Sequence, residues 1–428
     1  MSLLDTVVTI FRVLFAAFIP VCFLAVLVWM ERRGCGFIQD RSGPNRANIF
    51  GFRLAGIVQN LADGLKLAFK EDVIPGHVKY KFYFVLAPVI VFTIAIVSFA
   101  AVPFADALIL EGKTYLMQGI PTDLGILWFL ALVGFSVYGI ILAGWSSHNK
   151  YSMLGGLRAA AQVISYEIPL GLAVISLLIV YGTVNLTGIV QYQGQLLFGF
   201  IPMWGIVIQP LGAVIFIVAA FAEANRIPFD LVEGESEIVA GFHTEYSGMK
   251  FAMFFMGEYV AMFTSSAVIV TLFFGGFQIP WMSTAFMVEH TRLVVVLLML
   301  LVPVFAYFFA GWIRKNNRSH FPRENDPDLV EAKWYIRVLW VAVILIELVL
   351  LFFLIAGAGG AAARILAASL QITSFLVKVT FMCFVYVWVR WTLPRFRYDQ
   401  LQKLGWQTLL PLSLLNILIT SAVVVALS

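Results

Sequence analysis

The stretch VVTIFRVLFAAFIPVCFLAVLVWMERR, residues 7–33, places the whole chain in its physical class. It is almost continuously apolar until Glu31, Arg32 and Arg33 end it together. A bilayer core about 30 Å thick is crossed by about 20 helical residues, and the run has that length. No small-residue cleavage site lies between it and the charges, so it reads as a retained first span and not as a removable signal. Composition agrees: the 428 residues are 61% hydrophobic and 12% charged, against about 45–50% apolar and 25% charged in a typical soluble domain.

Working outward from that run, the sequence predicts ten spans, at about 7–30, 82–104, 124–145, 163–181, 205–222, 249–275, 292–313, 335–356, 370–391 and 408–427. A lipid-facing backbone must satisfy its own hydrogen bonds, and no alternating ten-residue pattern points to a barrel. The expected fold is therefore an all-α polytopic membrane protein. Residues 31–81 carry nine Lys or Arg, 146–162 two, 223–250 two, 314–334 five and 390–407 four. The intervening connections 105–123 and 357–369 carry one each, and 182–204 and 276–291 carry none. By the positive-inside rule the first set is cytoplasmic and both termini face the other compartment. The net charge of +4 is then a topology signal and gives no indication of nucleic-acid binding.

Cys22, Cys35 and Cys383 are isolated from one another and the five histidines are scattered. Neither set has the spacing of a zinc, iron–sulfur or bis-histidine haem site, so no metal or redox cofactor is expected on this chain. Residues 31–53, ERRGCGFIQDRSGPNRANIFGFR, combine five arginines with glycine and proline turn signals. They are expected to form a partly non-helical loop that packs against another protein or lipid headgroups, with GCG at 34–36 loosening the backbone. After it, Leu54, Ile57, Val58, Leu61, Leu65 and Phe69 recur at helical spacing, with Gln59, Asn60, Asp63, Lys66 and Lys70 opposite. That pattern is an amphipathic helix too polar to span. It either lies in the interface plane or gates the passage of a lipid-like ligand.

The segment AEANRIPFDLVEGESEIVAG, residues 222–241, gathers Glu223, Asp230, Glu233, Glu235 and Glu237 with only Arg226 to offset them. Ile227-Pro228 ends or kinks the preceding helix. Carboxylates this close repel one another and share protons, so the segment can respond to a nearby change of charge. A solvated acidic loop docking on a basic partner explains the composition equally well. Glu167 and Glu258 lie inside apolar runs and Glu223 at the end of another, where an ionisable group is costly and usually functional.

Five long motifs occur in order: ERRGCGFIQDRSGPNR, LADGLKLAFKEDVIP, LAGWSSHNKYSMLGGLRAAAQVISYEIPLG, EANRIPFDLVEGESEIVAGFHTEYSGMKF and VRWTLPRFRYDQLQKLGW. Together they resemble the respiratory complex I membrane subunit of the NADH dehydrogenase subunit 1 family, over the chain from about residue 31 onward. The resemblance implies a subunit of the proton-pumping NADH:quinone oxidoreductase that forms much of the quinone chamber, with quinone as substrate and FMN and iron–sulfur clusters on partner subunits of the hydrophilic arm. It implies residence in the bacterial inner membrane and contact with other membrane-arm subunits. On this resemblance Asp40, Arg41, Asp63, Lys66, Arg226, Phe229, Asp230, Glu233, Glu235 and Glu237 line or border the chamber. Glu167, Glu223, Glu245 and Glu258 begin a path of buried charge, and Arg390, Arg395, Arg397 and Asp399 form a docking surface or join that network.

The family pattern usually has eight spans. Here residues 281–357 add two apolar runs joined by a basic connection, between a core of 1–280 and the last two spans in 358–428. The added pair is expected at the periphery, against lipid or another subunit. Other readings of the buried carboxylates are the equivalent subunit of a ferredoxin- or coenzyme-linked oxidoreductase or energy-converting hydrogenase, a stand-alone ion transporter, and a structural anchor.

Overall fold

The computed structural model describes residues 3–41, 43–232, 234–316, 327–356 and 360–427. Helix α1 (Leu3–Ile38) is 36 residues long, about 54 Å at 1.5 Å per residue, so it outruns the bilayer. The GCG segment is helical within it, contrary to the expected loosening. A Cβ on Gly36 would lie 2.8 Å from the Arg41 carbonyl oxygen and 2.9 Å from the Gly43 nitrogen. The glycine is needed because the returning chain packs directly on the helix.

A 3-10 turn (Leu54–Gly56) leads into α2 (Ile57–Phe69), followed by α3 (Lys81–Phe99). The two-stranded hairpin β1 (Leu108–Leu110) and β2 (Lys113–Tyr115) joins α3 to α4 (Gly125–Ser146). Three residues turn the chain into α5 (Lys150–Tyr181), whose first turn is capped by the Asn149 side chain accepting from the Tyr151 amide. The predicted cytoplasmic connection 146–162 is thus mostly helix. Beyond α6 (Leu186–Gln193) and the short pair β3 (Leu196–Leu197) and β4 (Ile201–Pro202), the chain forms α7 (Gly205–Ile208) and α8 (Pro210–Glu223).

The predicted span 205–222 is therefore broken at Gln209. Pro210 starts α8 at a position where its missing N–H costs nothing. Such a break survives at membrane depth only if its polar groups find partners. Gln209 Nε2 donates to Thr420 Oγ1 at 2.6 Å, and Asn416 Nδ2 donates to Gln209 Oε1 at 3.1 Å and to Ser176 Oγ at 2.8 Å.

The remainder comprises α9 (Glu235–Ile238), α10 (Gly248–Phe273), α11 (Thr284–Glu289), α12 (Thr291–Asn316), α13 (Pro327–Ala356), α14 (Gly360–Thr392), α15 (Tyr398–Lys403), a π turn (Leu404–Leu409) and α16 (Leu410–Leu427). Among the described residues nine helical segments are long and apolar enough to cross a membrane, and the shorter α8 stands where a tenth was predicted. The protein is an all-α polytopic membrane protein. Its axis is α10, with 72% of the apolar window buried against 11% for α13. Past the end of α10, Lys378 on α14 donates to the carbonyls of Phe274, Gly276 and Gln278 at 3.0, 3.0 and 2.6 Å, satisfying acceptors that lipid cannot. Helices α12 and α13 pack on each other through Ala310, Ile313, Ala332 and Ile336 and lie at the margin.

Helices α4 and α5 approach closely where Gly144 faces Ser152, and a Cβ there would lie 2.6 Å from the Ser152 carbonyl oxygen. Gly144→Val is expected to force the pair apart at a cost of about 1–3 kcal/mol or more. A lowered thermal midpoint of the detergent-extracted protein measures it.

Candidate functional site

Glu31, the first charge after the opening apolar run, is buried at 7% exposure between three spans. Arg226 Nη1 lies 3.3 Å from Glu31 Oε2, and the Tyr259 hydroxyl donates to the same oxygen at 2.9 Å. Arg390 Nη1 pairs with Oε1. The Arg226 guanidinium also stacks over the Tyr259 ring, 4.1 Å from its centre. Helices α1, α10 and α14 and the loop after α8 are thereby joined at one carboxylate. Burial alone would lower the pKa of Arg226, but the fields of Glu31, Tyr259 and Glu258 outweigh it and raise it, so the guanidinium stays charged.

The acidic loop continues from Arg226 and is tied to the chain beyond α14. Arg395 Nη2 donates to Asp230 Oδ2 at 2.8 Å, and the Phe396 amide donates to the Pro228 carbonyl at 3.0 Å. Phe229 packs between Tyr166 and Phe396, with ring centres 5.4 Å from each. Arg158 on α5 holds Glu237 at 2.6 Å in a solvent-exposed pair of the kind that contributes little. Glu233 lies outside the described residues. Glu235 opens the short α9.

Two spaces flank this hub. One is a groove of about 670 Å³ between α1, α2 and α10, lined by Leu24, Val28, Leu61, Leu65 and Phe255 among others. Arg32, Asp63 and Lys66 add charge to that lining. Arg32 Nη1 donates to Asp63 Oδ2 at 2.5 Å and Gln59 Nε2 to Oδ1 at 3.1 Å, so Asp63 fastens α2 to α1. Leu61, Leu65 and Phe69 on α2 are exposed.

The other is a narrow cavity of about 60 Å³ among α3, α4, α8 and α10 that holds Glu223 and Glu258 with Ser98, Ser136, Asn225 and Thr264. Glu167 reaches α4 beside it: a Cβ on Gly134 would sit 2.8 Å from Glu167 Oε1, so the carboxylate rests directly on the glycine and would have to shift for a larger residue. Glu223 lies within electrostatic reach of Glu167, and Arg226 of Glu258. The cavity's carboxylates and the Glu31 hub therefore form one charged assembly.

Not every residue singled out from the sequence joins it. Glu245 accepts from Asn149 Nδ2 at 2.7 Å and faces His77 Nε2 at 3.7 Å, away from the cavity. Arg397 pairs with Asp399 at 3.2 Å on the surface. Asp40 and Arg41 form the exposed turn after α1, where Arg41 Nε donates to Gln39 Oε1 at 2.7 Å. Among the described residues, no group of three or more His, Cys, Asp or Glu could hold a metal ion.

A family model described as NADH dehydrogenase matches residues 11–421, a range that takes in the hub, the groove and the cavity. The chain belongs to the NADH dehydrogenase family. A relative from Rhodothermus marinus named NADH-quinone oxidoreductase subunit 8 is 41% identical over 397 residues, 92% of this chain and 91% of the relative. An NADH-quinone oxidoreductase subunit of Bdellovibrio bacteriovorus is 39% identical over 419 residues, covering 93% and 91%. Another from Solibacter usitatus is 37% identical over 426 residues, covering 99% of both chains.

For this NADH dehydrogenase family member, sequence reasoning misses the central residue. Glu31 reads along the chain as the boundary mark of the first span, and its signal is its place at the head of ERR, directly abutting lipid-length apolar sequence. Removing it strands two guanidinium groups. Glu31→Ala is expected to cost about 3–5 kcal/mol, as for breaking a buried ion pair from one side. Tyr259→Phe, which deletes one hydrogen bond, should cost about 1 kcal/mol. Thermal midpoints of the two variants in detergent, compared with the parent, check the ordering.

Proposed function

We propose that this chain is a membrane-arm subunit of a proton-pumping NADH:quinone oxidoreductase, complex I, in a bacterial inner membrane, with both termini on the non-cytoplasmic side. It forms much of the quinone chamber and the start of the path that couples quinone reduction to proton translocation. The observation that carries the reading is the Glu31 hub, which stands between a groove beside α1 and a cavity that holds two carboxylates, and reaches the first through Arg32 beside it on α1 and the second through the field between Arg226 and Glu258.

The groove suits an isoprenoid quinone. Its walls are apolar, as a long tail requires, and Arg32, Asp63 and Lys66 offer hydrogen bonds to a polar head. Asp40, Arg41, Phe229, Asp230, Glu233, Glu235 and Glu237 border the chamber in this reading. Reduction of a quinone to a quinol consumes two electrons and two protons. The electrons arrive from FMN and iron–sulfur clusters on hydrophilic-arm partners. Proton uptake at the head group changes the charge beside the acidic loop, and Asp230 and Arg226 carry that change to Arg395 and Glu31. Glu258 and Glu223 in the cavity and Glu167 beside it then exchange protons, where the low dielectric makes each charge sensitive to the next. Glu245 lies outside the cavity, on Asn149 and His77, and in this reading serves the path only at its cytoplasmic margin. Arg390 joins the path through Glu31, and Arg397 and Asp399 serve docking.

Replacing Glu258 or Glu223 by Gln keeps the shape of the cavity and removes its exchangeable charge. Each variant is expected to lose most proton translocation per electron while NADH oxidation with an artificial acceptor at the flavin end is unchanged. Proton-to-electron ratios in reconstituted vesicles measure this, and an unaltered ratio in both variants removes the coupling role.

A further inference from the structure

The marginal helix α13 reaches the first cytoplasmic loop at its starting end. Glu331, 6% exposed, accepts the Arg53 backbone N–H at 2.5 Å through Oε1. Tyr335 donates to Glu331 Oε2 at 3.0 Å, and its hydroxyl accepts the Ala55 N–H at 2.8 Å. Trp334 packs on Phe52 with ring centres 5.2 Å apart. From the opposite side, α1 holds the Ala55 carbonyl, which accepts from Trp29 Nε1 at 2.8 Å and Arg33 Nε at 3.1 Å. Ala55, two residues before α2, is gripped by its N–H from one helix and by its C=O from another.

That grip falls where local structure is weakest. Leu54 and Ala55 both have positive φ, at 47° and 53°, and Gly56 follows at 94°, where a Cβ would run into the Pro44 carbonyl. Non-glycine residues hold such a conformation only when their surroundings impose it. The N-terminus of α2 has no side-chain cap of its own at Gly56, and the first-turn N–H groups of a helix otherwise lack partners. Glu331 and Tyr335 supply acceptors at the approach to that terminus from a distant part of the chain.

We infer that Glu331 and Tyr335 are positioning residues for the quinone opening: α13 anchors the start of α2, and so sets the width of the groove between α1, α2 and α10. The inference rests on the assignment of that groove to quinone. The Ala55 carbonyl stays held by Trp29 and Arg33, and further along α2 Arg32 holds Asp63 and Asn60 Nδ2 donates to the Ala25 carbonyl at 3.0 Å, all to or from α1, so loss of the α13 contacts releases one of the two grips at the start of α2 and leaves the rest of the helix anchored. A loosened opening is competent for a smaller fraction of the time, which raises the apparent KM by the inverse of that fraction. The effect grows with tail length, because a long tail occupies the groove throughout turnover.

The test uses the intact complex with Tyr335→Phe, Glu331→Ala and Glu331→Gln. Glutamine retains an acceptor for the Arg53 N–H and a donor for the Tyr335 oxygen. Expected for Tyr335→Phe and Glu331→Ala is a rise of at least roughly 2- to 10-fold in KM for a long-tailed ubiquinone, the factor that a single buried hydrogen bond is worth, since each variant removes two of these bonds. kcat, the KM for a short-tailed analogue and flavin-end activity stay at parent values, and Glu331→Gln restores the parent KM. Equal changes for both quinones, or unchanged KM in assembled Tyr335→Phe complex, overturn the inference. A photoreactive quinone applied to the parent complex separates the two failures: labelling of α1, α2 or α10 upholds the groove assignment whatever the variants do, and labelling confined to other sites removes it.

Discussion

A carboxylate taken out of water must be compensated by opposite charge, and Glu31 has two such partners, Arg226 and Arg390, with Tyr259 completing its acceptor sites. Each partner comes from a different part of the chain, so the pairing can form only when α1, α10, α14 and the acidic loop are all in place. Apolar helices in lipid have little hydrophobic reason to choose one neighbour over another. The buried charge supplies that choice: a misregistered arrangement leaves an uncompensated ion in a low-dielectric interior. This one requirement holds the groove and the carboxylate-bearing cavity next to the same hub.

The same physics explains where the fold departs from continuous helices. The gap at Gln209, the loop after α10 and the turn before α2 each expose backbone or side-chain dipoles at or near membrane depth, and each is met by polar groups from another helix. Gln209 is met by Asn416 and Thr420, the carbonyls after α10 by Lys378, and Ala55 by Tyr335, Trp29 and Arg33. The marginal pair α12 and α13 fits this pattern, since its starting end contributes Glu331 and Tyr335 while most of its length faces outward.

The number of apolar runs, their approximate places and the acidic and basic motifs are legible in the sequence because hydropathy and charge are local properties. Asp63, Arg226, Asp230, Glu223 and Glu258 stand out there as ionisable groups in or beside apolar sequence, and the structure places Asp63 in the groove, Glu223 and Glu258 in the cavity, Arg226 on Glu31 and Asp230 on Arg395. Glu245, Arg397 and Asp399 carry the same local signal, yet they fold toward His77 and toward each other. Proximity along the chain predicts neither outcome. Glu31 reads as a boundary because a charge at the end of an apolar run is usually solvated, and nothing within thirty residues reveals that Arg226 and Arg390 will close over it.

What the sequence determined by itself is an all-helical membrane protein of the NADH dehydrogenase family, because span length, loop charge and motif order are each read directly along one dimension. What only the tertiary structure decided is which charges meet. Glu31 with two arginines, Glu167 against Gly134, and the Ala55 peptide held between α1 and α13 are contacts between residues that are, for the most part, far apart in sequence. Such pairings follow from the need to compensate every buried polar group at once, and that condition applies to the folded whole and to no single segment.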